Sequence, residues 1–574
     1  MTSTSNKQAF DAAVEAVLSS DSLFALERRQ IRGVEYKTFK NGPKSLGDVL
    51  QMCQGHGDTD FLVYEDERYS FSDYYRLTHR VAARLTRHYG IKQGDHVALL
   101  MRNCPEYPIL LMALASIGAV CVCLNSWWTP QELKYGLTDC GARLVFCDAS
   151  QAHKMPALSV DDGVATVVVR DTNGDKASSF WEPLNHPVDI ERMIDAVIQA
   201  DDDFAIMYTS GSSGFPKGVV MTHRGAISTI MSWLFGIKVS ASLGLAAAPL
   251  TDATGRAFQP CSLVATPFFH VSGTHPGILL SIWLGMKLVI IKKWDAEYAV
   301  EIVSREKVSR FAGVPTMSME LIEAASARGI TLDSLRNLDA GGAGRPPEQV
   351  AMLANVVPQA LVGTGWGMTE TNGMGIGLRG REFLQNPGAA GRLQAPLPEI
   401  RLVDESDRDV PVGAVGELVF KCASNMRCYL NKPEETAEAL RDGWLYTGDL
   451  ARIDENDIIS VVDRKKDMVI RGGENISCAE VHNAVHMHPA VKEAAVFAIP
   501  DKRLGEAVGA CVYFRAGQTI SEVQLKNYLK DHIAPYKIPA RIWVWKTPLP
   551  RVGAEKIDRV TLRAVCLSGD AESP

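Results

Sequence analysis

Short apolar segments of strand length alternate with longer amphipathic segments along two passages of this chain, and that alternation limits the fold more than any other feature. The predicted elements of the first passage are a helix at residues 72–89, a strand at 96–101, a helix from Glu106, a strand from Ala119, a helix from Thr129 and a strand at 143–147. The third helix has a well-marked beginning, because Thr129 is a good N-cap, Pro130 suits the first helical position and Glu132 completes a capping box. Strands that alternate with helices predict a parallel or mixed sheet with helices on both faces.

A β-hairpin is predicted at residues 61–70, before the first passage, and the alternating pattern returns between residues 225 and 362. The predicted elements of this second passage are a helix to about Phe235, strands at 262–266, 287–291 and 310–312, and helices at 277–285 and 296–306. Two such passages predict two sheet-and-helix subdomains. A chain of 574 residues is also too long for one hydrophobic core, which stops growing at about 250–300 residues.

A β-rich passage and a charged boundary follow. Residues 401–462 contain strand-like alternation, residues 463–467 are all charged, and the rest, to about 565, has its own strand and helix pattern. The predicted fold class is therefore α/β. It has a large N-terminal domain, residues 1–465, made of two sheet-and-helix subdomains plus a β-rich lobe, and a small C-terminal α+β domain, residues 466–574.

Composition narrows the partners and the location. The net charge is −7 with both signs interspersed, so nucleic acid is not an expected partner. The twelve cysteines include no C-x-x-C pair, which fits a reducing cytoplasm. Residues 109–124 form an uncharged run, but Gly118 divides it into halves that are each too short to cross a bilayer. We expect no transmembrane segment and a cytoplasmic protein, and the sequence leaves peripheral membrane contact and a homodimer open.

Residues 207–218, Met-Tyr-Thr-Ser-Gly-Ser-Ser-Gly-Phe-Pro-Lys-Gly, have the composition of a phosphate-binding loop. Glycine lets backbone N–H groups turn inward, hydroxyls donate to phosphate oxygens, and Lys217 supplies a mobile positive charge. The stretch is not the P-loop of nucleotide triphosphatases, because that motif requires Ser or Thr after the lysine and Gly218 stands there. The alternative interpretation is an ordinary Ser/Gly surface loop.

Five further segments carry candidate binding groups. They are Thr-Pro-Phe-Phe-His ending at His270, Asp-Ala-Gly-Gly-Ala-Gly at 339–344, Gly-Thr-Gly-Trp-Gly-Met-Thr-Glu-Thr at 363–371, Tyr-Thr-Gly-Asp ending at Asp449, and Asp-Arg ending at Arg464. The third combines a stacking aromatic with hydroxyls and a carboxylate suited to Mg²⁺ beside phosphate. Each segment has an ordinary alternative: a packed histidine, a glycine turn, an aspartate turn or a surface ion pair.

In this order and spacing the segments resemble the adenylate-forming superfamily of acyl-CoA synthetases, nonribosomal-peptide adenylation domains and luciferases. The resemblance extends from about Leu46 to Arg559 and rests on the strings Thr-Ser-Gly-Ser-Ser-Gly-x-Pro-Lys-Gly, Gly-Met-Thr-Glu-Thr, Tyr-Thr-Gly-Asp and Arg-Gly-Gly-Glu-Asn-Ile. It implies a two-step ligase that uses ATP, Mg²⁺ and CoA. A carboxylate attacks the α-phosphate of ATP to give acyl-AMP and pyrophosphate, and a thiol then displaces AMP. The string at residues 472–476 is most similar to that of fatty-acyl and related ligases, which implies a hydrophobic carboxylic acid, fatty or related, as substrate.

The resemblance also implies a role for each matching residue. The pyrophosphate loop would be Thr209, Ser210, Gly211, Ser212, Ser213, Gly214 and Lys217; the adenine site Gly341, Gly342, Ala343 and Trp366; the α-phosphate contact Thr369; the Mg²⁺ ligand Glu370; and the ribose contacts Asp449 and Arg464. Lys556 would stabilise charge during adenylation and complete a catalytic set with Thr369, Glu370 and Lys217. The acyl pocket would be bordered by His270, Val314, Gly342, Gly365 and Met368, and Lys466 would be the hinge of a mobile C-terminal domain.

One departure from the family pattern concerns the residue before Lys556. The family usually has glycine there, whereas this chain has Glu555, and its glycine lies two places earlier at Gly553. If the turn needs a positive φ, glutamate is strained, and its carboxylate would lie near a triphosphate. We therefore expect slow adenylation or a shifted loop.

Three functions remain open from the sequence. An acid:CoA ligase is favoured over a stand-alone adenylation enzyme that loads a carrier protein or an amine. The third is a nucleotide-binding regulator without ligase activity, which Glu555 motivates. The acid itself is not identified, because the side chains of an acyl pocket lie far apart in the chain.

Overall fold

The computed structural model describes residues 3–155, 164–171, 175–185, 196–209, 216–465, 467–471, 474–552 and 556–568. Its helices are α1 Ser3–Ser20, α2 Leu46–Gln51, α3 Cys53–His56, α4 Phe71–Arg87, α5 Glu106–Ser116, α6 Pro130–Cys140, α7 Ala149–Ala152, α8 Ser178–Trp181, α9 His223–Ser242, α10 Val271–Gly273, α11 Leu280–Leu284, α12 Ala296–Glu306, α13 Pro315–Ala327, α14 Pro347–Val356, α15 Gly380–Gln385, α16 Pro433–Ala439, α17 Cys478–His486, α18 Glu522–Leu529 and α19 Arg559–Ser568.

Its strands are β1 Leu26–Ile31, β2 Val34–Phe39, β3 Asp60–Tyr64, β4 Glu67–Ser70, β5 His96–Leu100, β6 Val120–Cys123, β7 Leu144–Asp148, β8 Ala165–Arg170, β9 Asp203–Thr209, β10 Lys217–Thr222, β11 Cys261–Val264, β12 Lys287–Ile290, β13 Arg310–Gly313, β14 Asn337–Gly341, β15 Leu361–Gly367, β16 Gly375–Arg379, β17 Arg392–Leu393, β18 Glu399–Val403, β19 Val415–Lys421, β20 Cys428–Tyr429, β21 Leu440–Arg441, β22 Trp444–Ile453, β23 Ile459–Arg464, β24 Val469–Arg471, β25 Glu474–Ile476, β26 Val491–Asp501, β27 Gly505–Phe514, β28 Arg541–Trp545, β29 Arg551–Val552 and β30 Lys556–Ile557.

The first passage of the sequence forms the centre of one sheet. Within the described residues this sheet has the strand order β20, β10, β9, β6, β5, β7, β8. The strands from β9 to β8 are parallel, and α5 and α6 make the crossovers between β5, β6 and β7. Helix α6 begins as predicted, with the Thr129 capping box and Pro130 in the first turn. The predicted alternation of strand and helix is confirmed here.

The second passage forms the centre of a larger sheet. Its order in the described part of the chain is β17, β16, β15, β14, β13, β11, β12, β3, β4. The hairpin predicted at residues 61–70 exists as β3 and β4, but β3 joins this second sheet by pairing in parallel with β12. Nothing local indicates that partner, because the pairing joins Leu62 to Leu288, more than two hundred residues later.

The two sheets enclose a shared core in which α5 is buried along its whole length. Burial on all sides explains why residues 109–124 carry no charge: the run is α5 followed by β6, inside the protein. Among the described residues no helix is both long and apolar enough to cross a membrane. A second core lies between the larger sheet and the helices α12, α13 and α14.

The remaining described residues form two smaller sheets and an N-terminal cover. Strands β18, β19, β21, β22 and β23 make the predicted β-rich lobe, and β24 to β28 form a separate sheet with its own core. At the N-terminus, α1 packs against α9, and Phe24 makes an edge contact of 5.3 Å with Phe235 of α9. The fold class is as predicted, and the boundary at residues 465 and 466 stays a prediction.

Candidate active site

Glu370 lies in a single 3₁₀ turn, Thr369–Thr371, directly after β15. Only 6 % of Glu370 is exposed, and Tyr429 donates its hydroxyl to Glu370 Oε1 at 2.9 Å. Burial raises the pKa of Glu370, while the Tyr429 hydrogen bond and the Arg464 cation oppose that rise. Lys217 Nζ lies 4.9 Å from the centroid of the Tyr429 ring. The predicted phosphate-binding lysine and the predicted metal ligand therefore meet at Tyr429.

The strand pairing explains this meeting. Lys217 opposes Thr209 where β10 begins beside the end of β9. Two residues further along β10, Val219 opposes Tyr429 of β20. Because side chains two residues apart on a strand share a face, Lys217 and Tyr429 come together although they are far apart in the sequence.

Asp449 connects the larger sheet to the β-rich lobe. It is 5 % exposed, and both of its carboxylate oxygens have partners. Trp366 Nε1 donates to Asp449 Oδ2 at 2.8 Å, and Arg464 Nε lies 3.3 Å from Asp449 Oδ1. Asp449 and Arg464 are cross-strand partners in β22 and β23. Burial raises the pKa of Asp449, and Arg464 and Trp366 oppose that rise. The predicted ribose contacts thus lie together, beside the predicted adenine wall.

Lys556 reaches this site from the C-terminal hairpin. A Cβ on Gly342 would lie 3.2 Å from Lys556 Cε and 3.5 Å from Nζ. Gly342 has φ +76°, a left-handed conformation that favours glycine. Part of Lys556 remains accessible to solvent, yet the surrounding protein desolvates its amino group and lowers the pKa of Lys556. The Arg464 cation adds to that lowering, and Asp449 opposes it.

A buried carboxylate fixes the hairpin that carries Lys556. Glu493 of β26 accepts the backbone N–H of Leu549 at 2.8 Å and the Nη2 of Arg551 at 2.7 Å. Strand β29, which begins at Arg551, pairs with β30, so Val552 opposes Lys556. Glu493 therefore influences the position of Lys556 indirectly: it holds Leu549 and Arg551, and the pairing of β29 with β30 then places Lys556.

Three neighbouring glycines leave part of the larger sheet without side chains. Gly341, Gly365 and Gly377 are lateral partners in β14, β15 and β16. A Cβ on Gly341 would meet Gly365 O at 3.4 Å, and one on Gly365 would meet Ile376 O at 3.6 Å; within the described residues nothing else lies closer than 4 Å to either. The result is a flat floor, which we call the glycine floor, at the carboxyl ends of parallel strands where open α/β sheets bind ligands.

The segment after His270 lies beside Gly373, just after the turn that holds Glu370. A Cβ on Gly373 would lie 3.3 Å from Val271 Cγ2 and 3.8 Å from the Trp233 ring. A π-helix at Thr274–Leu279 follows α10, and such turns are frequent at functional sites. His270 Nε2 is buried and has no hydrogen-bond partner in the described part of the chain. Burial and the nearby Lys556 cation lower the pKa of His270 to about 3, so the ring is neutral at physiological pH.

The other predicted pocket residues lie around the same strands. Met368 is half-buried and precedes the turn that holds Glu370. Val314 is buried at the beginning of α13 and belongs to the core under the outer helices. Their roles, like those of the other site residues, stay predictions.

Asn372 ties the Glu370 turn to the wall of the site. It is fully buried and has φ +56°. His275 Nε2 lies 3.1 Å from Asn372 Oδ1, and Asn372 Nδ2 donates to Ser424 O at 2.7 Å. Thr274 occupies the other nitrogen of His275, with its hydroxyl 2.9 Å from Nδ1. No motif indicates this chain of contacts or Tyr429, because each depends on residues that meet only in the folded protein.

Several predicted residues lie outside the described residues. They are Ser210, Gly211, Ser212, Ser213 and Gly214 of the phosphate loop, the hinge residue Lys466, and Glu555 with Gly553 before Lys556.

The residues around Glu370 fit a magnesium ion bound with phosphate. The described residues contain no group of three or more His, Cys, Asp and Glu side chains that could hold a metal by themselves. One oxygen of Glu370 is held by Tyr429, and Mg²⁺ typically takes one or two carboxylates together with phosphates and water. When bound, the ion supplies charge neutralisation at the phosphates.

Comparison with known proteins gives a match along most of the chain. The sequence model described as AMP-binding enzyme matches residues 50–430, and that of the AMP-binding enzyme C-terminal domain matches residues 480–556. A feruloyl-CoA synthase from an Amycolatopsis species is 33% identical over 488 residues, which is 84% of this chain and 92% of the relative. A long-chain-fatty-acid–CoA ligase from Bacillus subtilis is 28% identical over 535 residues, 88% of this chain and 91% of the relative.

Solved structures agree with these sequence matches. The o-succinylbenzoate CoA synthetase of Bacillus subtilis, in complex with its acyl-adenylate intermediate, has a TM-score of 0.76 at 27% identity. The superposition covers 91% of this chain and 98% of that one.

Proposed function

This chain belongs to the AMP-binding enzyme family, and from that premise we propose that it joins a compact, mainly aromatic carboxylic acid to CoA. It is an AMP-forming acid–thiol ligase that uses ATP, Mg²⁺ and CoA and proceeds through an acyl-AMP. The nature of the acid, the roles of individual residues and the location of the protein are parts of the proposal.

The geometry supports a division of work in the adenylation step. Glu370, held by Tyr429, takes the metal, and Lys217 neutralises phosphate charge beside it. Asp449 and Arg464 receive the ribose next to Trp366. Lys556 lies close to Gly342 and to this ribose site, so its cation faces the position where charge develops on the α-phosphate. Positioned charges suffice for this chemistry, because phosphoryl and nucleotidyl transfer need little covalent catalysis.

The glycine floor carries the proposal about the acid. Three lateral glycines give a flat surface that suits an aromatic ring. Two residues along the same strands, that face of the sheet carries Asp339 and Arg379. A long alkyl tail laid over these charges would desolvate them without compensation, which costs several kcal/mol. We therefore favour a compact acid over the long-chain fatty acid that one of the relatives takes.

A panel of acids tests this proposal. Cinnamic, 4-methylcinnamic, octanoic and hexadecanoic acids are incubated with ATP and Mg²⁺, with and without CoA, and AMP and acyl-CoA are measured by mass spectrometry. We expect CoA-dependent AMP release and the highest kcat/KM with the aromatic acids. A preference for hexadecanoic acid would contradict the compact pocket. AMP release that needs a carrier protein or an amine instead of CoA would favour a stand-alone adenylation enzyme.

The domain boundary, the hinge and the location of the protein also belong to the proposal. A hinge at Lys466 and domains at residues 1–465 and 466–574 are consistent with the separate sheet that begins at Val469. A cytoplasmic location, peripheral membrane contact and a homodimer stay predictions.

A further inference from the structure

The larger sheet has an inner face and an outer face that can be assigned residue by residue. Phe311, Leu338 and Val362 are lateral partners in β13, β14 and β15, and all three pack into the core under the outer helices. Because successive side chains on a strand alternate between faces, the residues before and after each of them point to the inner face. The glycine floor lies on that inner face, and so does the next row of lateral partners, Ala312, Asp339, Gly363 and Arg379.

A bidentate ion pair crosses this second row. Arg379 Nε and Nη2 donate to Asp339 Oδ1 and Oδ2, each at 2.9 Å. The pair spans Gly363, where any side chain would collide with Asp339 Oδ1. Arg310, at the beginning of β13, is the third member. Its Nε lies 3.7 Å from Asp339 Oδ2, which is too long for a hydrogen bond.

Cations exceed anions in this group. Asp339 already accepts two N–H groups from Arg379, so its charge is compensated before Arg310 is counted. The side chain of Arg310 is only 15% exposed. Burial lowers the pKa of Arg310, Arg379 lowers it further, and Asp339 alone opposes them. An additional anion would therefore stabilise Arg310.

Arg345 adds a third cation within electrostatic range of Asp339. It is 6% exposed, and its Nη1 donates to Ser318 Oγ at 3.0 Å. Its Nε and Nη2 have no partner among the described residues. Asp339 thus balances Arg379 and Arg310 directly and Arg345 at longer range, so positive charge exceeds negative charge around it, which favours an additional anion.

Gln394 offers a further donor beside the glycine floor. Its Oε1 accepts the indole N–H of Trp233 at 3.0 Å and the backbone N–H of Gly375 at 3.2 Å. Two donors at one end fix the orientation of the amide, so the other end is the NH₂ group. That nitrogen lies 3.3 Å from the position of a Cβ on Gly377 and has no acceptor in the part of the chain that the structure describes. The inner face therefore presents donors at Gln394 and Arg310, while the carboxylate of Asp339 is already paired.

We propose that the end of the acid pocket remote from Lys556 binds a second carboxylate, so that preferred acids carry a carboxylate at each end of a compact hydrophobic body. Arg310 is the residue that recognises this distal carboxylate, and Arg379 and Gln394 supply neighbouring donors. This inference rests on the proposed function, because it assigns the far end of the same pocket.

The dimensions of the sheet limit the size of the acid. Arg310 of β13 is the lateral partner of Asn337 in β14, and Asn337 precedes Gly341 by four residues. Four residues of a strand span about 13 Å. The side chain of Arg310 extends toward Gly341 and shortens the span that the acid has to fill. Acids with about eight to ten atoms between the two carboxylates, or an aromatic ring with a short arm, fit this span.

Matched pairs of acids test the proposal. The first pair is 4-carboxycinnamic and 4-methylcinnamic acid, and the second is decanedioic and decanoic acid; kcat/KM is measured from AMP release with saturating ATP and CoA. We expect the wild-type enzyme to prefer the diacid in at least one pair by about tenfold or more. Arg310→Met should reverse that preference by about 10²-fold, because it removes the charged donor and leaves an apolar surface.

Two further variants make the result decisive. Arg310→Lys, which keeps the charge, should retain part of the preference for the diacid. Arg328→Met, which removes an arginine from the C-terminus of α13 on the outer layer, should leave the preference unchanged. The ratio of two acids on one sample does not depend on the fraction of folded protein, so reduced stability of a variant does not hide the effect.

The inference and the proposed function fail in different ways. If wild type prefers the methyl and monocarboxylic acids, or if Arg310→Met leaves the ratio unchanged, the distal carboxylate site is wrong while the ligase assignment stands. If no acid of either kind gives CoA-dependent AMP release, the proposed function itself is wrong.

Discussion

Trp366 contributes one hydrogen bond to the proposed ribose site, from its indole nitrogen to Asp449. Its indole N–H donates to Asp449, which is buried and has Arg464 as its other partner. Trp366→Phe keeps an aromatic surface but leaves one oxygen of a buried carboxylate unpaired. A hydrogen bond to a charged group is worth about 1.5–3 kcal/mol, so we expect the KM for ATP to rise by roughly 10- to 100-fold, with a smaller change in kcat.

A matched variant separates this effect from a general loss of packing. Trp444 lies in the same lobe and stacks with Arg401 and Lys421, away from Asp449. Trp444→Phe should leave the KM for ATP close to the wild-type value. An unchanged KM in Trp366→Phe would remove the role of the indole N–H.

The Tyr429 hydroxyl lowers the pKa of Glu370, the proposed metal ligand. Burial raises the pKa of Glu370, and the Tyr429 hydroxyl partly offsets this by stabilising the carboxylate. Tyr429→Phe removes that offset, so the pKa rises further and Glu370 takes up a proton at a higher pH. The acidic limb of the kcat/KM profile should move to higher pH, measured at saturating Mg²⁺.

Glu370→Gln shows how much ligation depends on the carboxylate itself. Without a carboxylate to hold the metal, ligation should fall by about 10²- to 10³-fold at every pH. Tyr446→Phe, in the β-rich lobe, serves as the control for losing a hydroxyl. A Tyr429→Phe profile that coincides with wild type would mean that Tyr429 only packs against Lys217.

At the scale of elements, the hairpin of β29 and β30 delivers Lys556, and Glu493 positions that hairpin. Lys556→Ala should abolish formation of acyl-AMP yet still convert supplied acyl-AMP and CoA to thioester, because the lysine is needed only while the α-phosphate reacts. Glu493→Gln keeps an acceptor for the Leu549 N–H but removes the charge opposite Arg551. We expect Glu493→Gln to slow adenylation by about tenfold, because a less well positioned Lys556 would raise the activation free energy by roughly 1.4 kcal/mol.

Both half-reactions are followed separately, by pyrophosphate release and by thioester formation from synthetic acyl-AMP. Lys546→Ala, which removes a lysine just before the hairpin, is the control. If Lys556→Ala impairs the two half-reactions equally, the lysine has a structural role and the proposed division of work is wrong.

The sequence predicts elements better than it predicts their partners. Helix α6 and the strands of both passages follow from periodicity and caps, which are local and therefore visible in the sequence. The pairing of β3 with β12 is set by packing between distant segments. The same limit applies to the site: the motifs indicate Lys217 and Glu370, whereas Tyr429 between them belongs to no motif.

At the scale of the whole molecule, buried histidines make the fold sensitive to acid. His223 and His275 are fully buried, and burial lowers the pKa of each to about 4. In the unfolded chain a histidine has a pKa of about 6.5, so between pH 6.5 and 4 the unfolded state binds protons that the folded state does not. Stability is therefore lost as the pH falls through this window, by about 1.4 kcal/mol for each histidine at pH 5.5.

Calorimetric Tm values at pH 7.5 and 5.5 measure this loss. His275→Gln keeps a side-chain donor for Asn372 and cannot be protonated, so the difference in Tm between the two pH values should shrink. His532→Gln, at an exposed position, should leave the difference unchanged. Equal differences in all three proteins would show that other groups govern acid unfolding.

The N-terminal cover has a consequence for how such enzymes diverge. Helix α1 and Phe24 pack on α9, the helix that carries Trp233 at the wall of the proposed acid pocket. These covering residues precede residue 50, where the match to the family begins. A substitution at this contact would act through α9 on Trp233 rather than on a group proposed to bind ATP. We therefore expect the choice of acid to depend partly on a segment that carries no motif, while the residues proposed for adenylation stay under separate constraint.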